Sequence, residues 1–222
     1  MSANGYTDEV EPGGPADVRE LPGLTISKLA VSEMSNNCYL LRDPETNEAL
    51  LIDAAAEPEA LLQLIDGAEL RTVVTTHGHW DHHRALPQVV EATGAVTVAH
   101  PLDAADLPVP VQRPVEHGDT VTVGGQTLEV IHLRGHTPGS IALVWRGGPE
   151  AGTHVFTGDS LFPGGVGNTW KDPERFRSLI DDVEERIFGV LPDEAWVYPG
   201  HGDDTTLGAE RPSIPEWRAR GW

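Results

Sequence analysis

A chain of 222 residues, 39% of them hydrophobic, is long enough to bury a sizeable core, and its 15 basic against 35 acidic residues give a formal net charge of −20. Such a field repels nucleic-acid phosphate and anionic membrane surfaces, so a small-molecule partner is expected and nucleic acid and membrane are not. No apolar run approaches a membrane span, no basic-then-apolar segment opens the sequence, and the single Cys38 cannot form an internal disulfide, which together point to the cytoplasm. Assembly into homo-oligomers is left open.

Residues 1–22 are acidic and poor in apolar side chains, with Pro12, Gly13, Gly14, Pro15 and Pro22 among them. They read as a flexible leader or as a strap across a neighbouring edge, ahead of one domain over residues 23–222 with a short C-terminal tail. Strand-like runs follow at 24–31, 38–41 and 49–53, the last two joined by a turn at 44–47. Cys38 reads as a small buried hydrophobe. Asp53 closes its run either as a turn former or as a carboxylate that orients a metal-ligating histidine. A helix at 59–65 stops at Gly67, a strand at 70–75 follows, and a helix at 86–93 stops at Gly94. Strands are expected at 96–99, at 121–123 and 128–133 around Gly124-Gly125, and at 141–145, 154–157 and 195–198. The clearest helix spans 173–188, with Phe176, Leu179, Ile180, Val183 and Ile187 on one stripe, Asp172 as its cap and Gly189 as its stop.

Between the strand at 70–75 and the helix at 86–93 lies Thr76-His77-Gly78-His79-Trp80-Asp81-His82-His83. Neutral imidazole is the commonest protein ligand for zinc, and a carboxylate completes a borderline-hard donor set. Three later side chains repeat the design of a β-branched or aromatic run, a glycine, then a donor: His136, Asp159 and His201. With the first cluster they make seven candidate ligands: His77, His79, Asp81, His82, His136, Asp159 and His201. Trp80, between two ligands, either walls the pocket or packs beneath its loop. His83 is expected at a helix start or in solvent, and His100, His117, His132 and His154 read as structural. The loop 163–170, with Asn168 and Trp170, reads as part of the pocket and offers no basic residue before Lys171.

Taken together, Thr76–His82, Gly135-His136-Thr137-Pro138-Gly139, Phe156-Thr157-Gly158-Asp159-Ser160 and Tyr198-Pro199-Gly200-His201 resemble the metallo-β-lactamase-fold hydrolases, and within them single-domain relatives of glyoxalase II, hydroxyacylglutathione hydrolase. The resemblance implies a four-layer αββα sandwich with metal at one sheet edge. It implies one ion on His77, His79 and His136, a second on Asp81, His82 and His201, and Asp159 bridging them. The ions would be divalent, zinc first and iron or manganese as alternatives. Asp81 and Asp159 would be the catalytic carboxylates, with a hydroxide shared by the ions attacking a small acyl thioester. Two-domain glyoxalase II grips glutathione with a C-terminal helical domain, whereas 21 residues follow His201 here, so only weak dependence on glutathione is expected. A persulfide dioxygenase with one iron, or a lactonase, would share the fold. A nuclease is opposed by the charge, and a non-enzymatic binding module by the presence of all seven donors.

Overall fold

The computed structural model describes residues 5–221. The first sheet runs in chain order through β1 (Asp17–Leu21), β2 (Leu24–Val31), β3 (Asn36–Arg42), β4 (Glu48–Ile52), β5 (Glu69–Val74), β6 (Val96–Ala99) and β7 (Arg113–Pro114). Its first four strands pair antiparallel, and pairing turns parallel from β4 onward, where helices α1 (Pro58–Ile65) and α2 (Leu86–Thr93) make the crossovers. The later strands are β8 (Thr120–Val123), β9 (Gln126–His132), β10 (Ile141–Arg146), β11 (Thr153–Gly158), β12 (Leu161–Phe162), β13 (Gly165–Val166), β14 (Trp196–Pro199) and β15 (Thr205–Thr206). Six of them form the second sheet in the order β15-β14-β11-β10-β9-β8, and β12 and β13 form a small hairpin. Helices α3 (Gly148–Ala151), α4 (Pro173–Val183), α5 (Leu207–Glu210) and α6 (Ile214–Arg220) complete the chain.

Period-two patterning sorts the side chains into three layers of core. Leu50 and Ile52 of β4, with Leu128 and Val130 of β9 and Leu143 and Trp145 of β10, meet between the sheets. Leu51 of β4 and Leu40 of β3 turn the other way, onto Leu61 and Ile65 of α1 and Leu86 and Val89 of α2. Ala142 and Val144 of β10 pack outward against Phe176, Leu179, Ile180 and Val183 of α4 and Trp217 of α6. Helix, sheet, sheet, helix is therefore the layer order, as expected. Asp172 caps α4 by accepting from the backbone N–H groups of Glu174 and Arg175. The helix expected over 173–188 is α-helical only to Val183 and ends in a π-helical turn over Glu184–Phe188.

The flexible leader is corrected for its described part, which is a strap. β1 pairs along its full length with β2, from Asp17 opposite Lys28 to Leu21 opposite Leu24, so the domain boundary at residue 23 falls inside the sheet. Upstream, Tyr6 is buried and its hydroxyl donates to Asp204 at 2.6 Å. Lys28, itself fully buried, donates to the carbonyls of Asp8 and Gly202 and to Asp204 at 2.8 Å. The tail folds as well: Trp217 is buried against the second sheet's outer face. Among the described residues no helix is long and apolar enough to cross a membrane.

Candidate metal centre

Four strand ends deliver the candidate ligands to one edge, and a fifth ends beside them. β5 feeds the loop with His77, His79, Asp81 and His82; the loops after β9, β11 and β14 carry His136, Asp159 and His201; β4 ends beside Asp53. The two sheets are tied at this edge, where Ile141 N–H donates to the Thr76 carbonyl at 2.9 Å and Asn37 N–H of β3 donates to the Gly200 carbonyl at 2.8 Å. Gly200 has no room for a Cβ: a methyl there would overlap Asp159 Oδ1 and come within 2.9 Å of the His82 ring. At this position glycine serves close approach, not a left-handed turn.

The donors gather into two trios. Donor atoms of His77, His79 and His136 lie within 4.8 Å of one another, and so do those of Asp81, His82 and His201. Asp159 stands between them, with Oδ1 at 3.4 Å from His82 Nε2 and Oδ2 at 3.6 Å from His136 Nε2 and 3.5 Å from His201 Nε2. All seven sequence candidates thus meet at one place.

Four of the imidazoles are oriented from behind. The Thr76 hydroxyl donates to Asp53 Oδ2 at 2.8 Å, so at 3.0 Å it accepts from His77 Nδ1. His82 Nδ1 donates to Asp53 Oδ2 at 2.9 Å, His136 Nδ1 to the Asn168 carbonyl at 2.9 Å, and His201 Nδ1 to the Met34 carbonyl at 2.9 Å. This network assigns the tautomers, putting each ring's Nε2 on the site side. Asp53 also groups with His77 and His82 as a possible donor set, but its contact is to the far nitrogen of His82, so it orients ligands and does not join them. The back of the site holds a further carboxylate that the sequence reading missed. Asp103, 1% exposed, accepts from Gly78 N–H at 2.8 Å, Thr137 Oγ1 at 2.5 Å and Gly139 N–H at 2.7 Å, tying the loop of His77 and His79 to that of His136.

Three buried polar atoms face inward with no hydrogen-bond partner: His77 Nε2, His136 Nε2 and Asp159 Oδ1. Buried nitrogen and oxygen acceptors left unpaired are costly, and cations held by the donor trios would supply the missing partners. The nitrogen–oxygen donor set suits zinc, iron or manganese.

Electrostatics separate the trios in the metal-free protein. Burial, reinforced by neighbouring imidazoles, holds His77 well below its ordinary value; burial lowers His79 too and takes His136 to about 4. Burial acts the same way on His82 but is overcome by Asp159 and Asp53, which push that ring up to about 10. His201 is raised by Asp159 against its own burial, and Asp159, despite burial, lies well below the carboxylate range because His82 and His201 face it. In the metal-free protein this balance keeps a proton on His82 at neutral pH, and an ion taken up by the second trio would have to displace it. Metal affinity at that trio should rise by about one log unit per pH unit between pH 7 and 9. The opposite sign applies to the metal-free fold: stability from the His82 ion pairs is complete below pH 6.5 and lost as pH rises through about 10. Competition with a chelator across pH 7–9 checks the first expectation; a flat profile would contradict it.

The remaining sequence candidates fall as follows. Trp80 is 58% exposed with the Arg84 guanidinium 4.5 Å over its ring, so it does not pack beneath the loop. Trp170 is half exposed and stacks on His136 at 5.4 Å with its edge to His79, while Asn168 reaches the site through its carbonyl on His136. His83 is buried, not solvent-exposed, and its Nε2 meets the Gly78 carbonyl at 3.2 Å, so it braces the ligand loop. His154 is buried between Tyr198 and the Ala151 carbonyl, and His100 stacks on His132, all away from the ligands.

The chain is similar to known proteins. Residues 31–201 match the family model described as the metallo-beta-lactamase superfamily. Hydroxyacylglutathione hydrolase GloC of Haemophilus influenzae is 32% identical over 212 residues, spanning 86% of this chain and 97% of that protein. The crystal structure of ETHE1 from Myxococcus xanthus superposes with a TM-score of 0.76 at 32% identity, over 87% of this chain and 84% of that one. That of TTHA1623 in a di-iron-bound form gives 0.68 at 31% identity, over 85% and 98%. With its layers, its strand-end donors and these relatives in agreement, the chain belongs to the metallo-β-lactamase superfamily as a metal-dependent hydrolase of that fold.

Proposed function

We propose that the protein hydrolyses small acyl thioesters, with 2-hydroxyacyl groups preferred, using two divalent ions of which zinc is the first choice. The observation that carries the two-ion reading is the pair of donor trios sharing Asp159, whose two oxygens face different imidazoles. The thioester is supported by the likeness to a hydroxyacylglutathione hydrolase along nearly its whole length. When bound, such a pair of ions supplies Lewis acidity, polarising a carbonyl and lowering the pKa of water from 15.7 towards about 7.

The chain's own groups supply the rest. Asp159 holds the trios together, and Asp81 adds negative charge beside His82 and His201, each 3.6 Å from its Oδ2. The Trp170 face beside His79 and His136 offers an apolar wall for the acyl or thiol portion. A thiol leaves as thiolate with a pKa near 8.5, so little acid assistance is required. The guanidiniums beside the site tryptophans are already engaged, Arg84 on the Ala55 carbonyl and Arg175 on the carbonyls of Gly135 and His136. A charged thiol carrier therefore finds little grip there, and poor discrimination between carriers is the expected result.

Thiol release from matched lactoyl thioesters of glutathione and of simpler thiols is the test, with lactones, persulfides and phosphodiesters beside them. A glutathione preference above about 100-fold, some 2.7 kcal/mol, would overturn the weak-carrier expectation. Turnover of another class with none of the thioesters would overturn the activity.

A further inference from the structure

The back-side contacts differ between the trios. The first is held through Thr76, on the ligand loop itself, and through the Asn168 carbonyl, on the loop between β13 and α4. The second is held largely from the turn between β2 and β3, which carries no ligand. Met34 of that turn accepts from His201 Nδ1, and Asn36, at the start of β3, forms an isolated backbone bridge with His201.

Asn36 is fully buried, and its side chain lies among the ligands themselves. Its Nδ2 donates to Asp81 Oδ2 at 3.0 Å and lies 3.5 Å from His201 Nε2. An amide can present nitrogen or oxygen; the acceptor-only carboxylate of Asp81 takes the nitrogen, and the Ser32 hydroxyl, which accepts from Met34 N–H, donates to Asn36 Oδ1 at 2.6 Å and holds that orientation. Ser32 is in turn fixed in the left-handed region at φ 65°, its backbone N–H donating to Glu57 at 2.9 Å. The amide nitrogen has no lone pair for a cation. What it does is occupy one acceptor direction of Asp81 Oδ2, leaving the other aimed at His82 and His201, each 3.6 Å away.

We propose that Asn36 is a positioning residue that sets the affinity of the second metal position, made by Asp81, His82 and His201, without acting on the first. The inference rests on the two-ion reading given above. Losing an outer contact of this kind typically costs 10–100-fold in metal affinity.

The experiment is calorimetric titration of the chelated full-length protein with Zn²⁺, and with Co²⁺ followed by its ligand-field absorption. The wild type should bind in two steps. Asn36→Ala should weaken the second step by about 10–100-fold and leave the first, with its one-equivalent Co²⁺ spectrum, within about threefold. Ser32→Ala, which frees the amide to turn, should weaken the second step in the same sense by a smaller factor, and it decides the matter if Asn36→Ala does not fold. A wild type that binds one ion removes the two-ion reading and this inference with it. A wild type that binds two, with variants that bind both ions unchanged or lose both steps equally, removes only the role of Asn36.

Discussion

Asp159→Ala should lower thioester hydrolysis by at least about 10³-fold, close to 4 kcal/mol in the transition state, while circular dichroism shows the fold retained. The carboxylate is the group with an oxygen towards each trio, 3.4 Å from His82 and 3.6 Å from His136. Without it, two cations at the separations these trios allow would repel one another with no shared anion, so the metal content of the protein after loading should fall from two towards one. Asp159 belongs to none of the three hydrophobic clusters, which is why the loss should stay local. In the metal-free protein the same change removes the chief support of the raised His82, which should then titrate well below about 10. Metal analysis, steady-state rates and a histidine NMR titration read the three effects separately. Near-normal turnover would refute the bridging role.

Asp103→Ala should be the most damaging change among residues outside the ligand set. It strands the backbone N–H groups of Gly78 and Gly139 and takes one of two partners from the Thr137 hydroxyl, which keeps Ser140 Oγ at 2.6 Å, in a place where Asp103 itself is 1% exposed. Each buried donor left unpaired costs about 1–3 kcal/mol, and because the three share one acceptor their losses do not add. A net destabilisation of about 3–5 kcal/mol is expected in denaturant unfolding of the chelated protein. The first trio should also bind metal 10–100-fold more weakly, since the loops of His77 and His136 are no longer clamped together. Asp103→Asn, which keeps the shape and some of the acceptor capacity, should fall between. An alanine variant within about 1 kcal/mol of wild type would show that the clamp is dispensable.

The seven candidate ligands were legible because each stands in a loop that follows an apolar run, and β-branched strands ending in histidine or aspartate leave a local signature. Helix α4 was legible for a similar reason, since Phe176, Leu179, Ile180 and Val183 mark one face. Asp103 and Asn36 were not, and the N-terminal strap was legible only as one of two readings beside a flexible leader. Asp103 acts on partners 25 to 36 positions away, and Tyr6 on one 198 positions away, so nothing in their own neighbourhoods reports the contact. Asn36 and Asn37 open a strand whose run of apolar residues begins only at Cys38, and their polarity hid the fact that both are buried. The strap misled in the opposite direction. Its acidic, proline-rich composition signals disorder, yet Asp17 accepts from the backbone of Thr7 and Asp8, and Asp8 accepts from Asp204 N–H. A few well-placed carboxylates did what a hydrophobic face usually does.

The order in which the donors occur along the chain also bears on biosynthesis. The first trio is complete at His136, whereas Asp159 and His201 come later, the last of them 65 residues on (201 − 136). At about 5–20 residues per second, translation leaves roughly 1–5 s after His136 before Asp159 is made, 23 residues on (159 − 136), and roughly 3–13 s before His201 completes the donor set. During that interval the nascent chain imposes no completed cage on an arriving cation. An ion caught by the early trio in that interval would be chosen by the cell's free-metal pool and the intrinsic ranking of divalent ions for nitrogen donors, not by the mature cavity. Protein made in iron-rich and in zinc-rich medium would accordingly leave the ribosome with different first ions, one polypeptide carrying two elemental compositions.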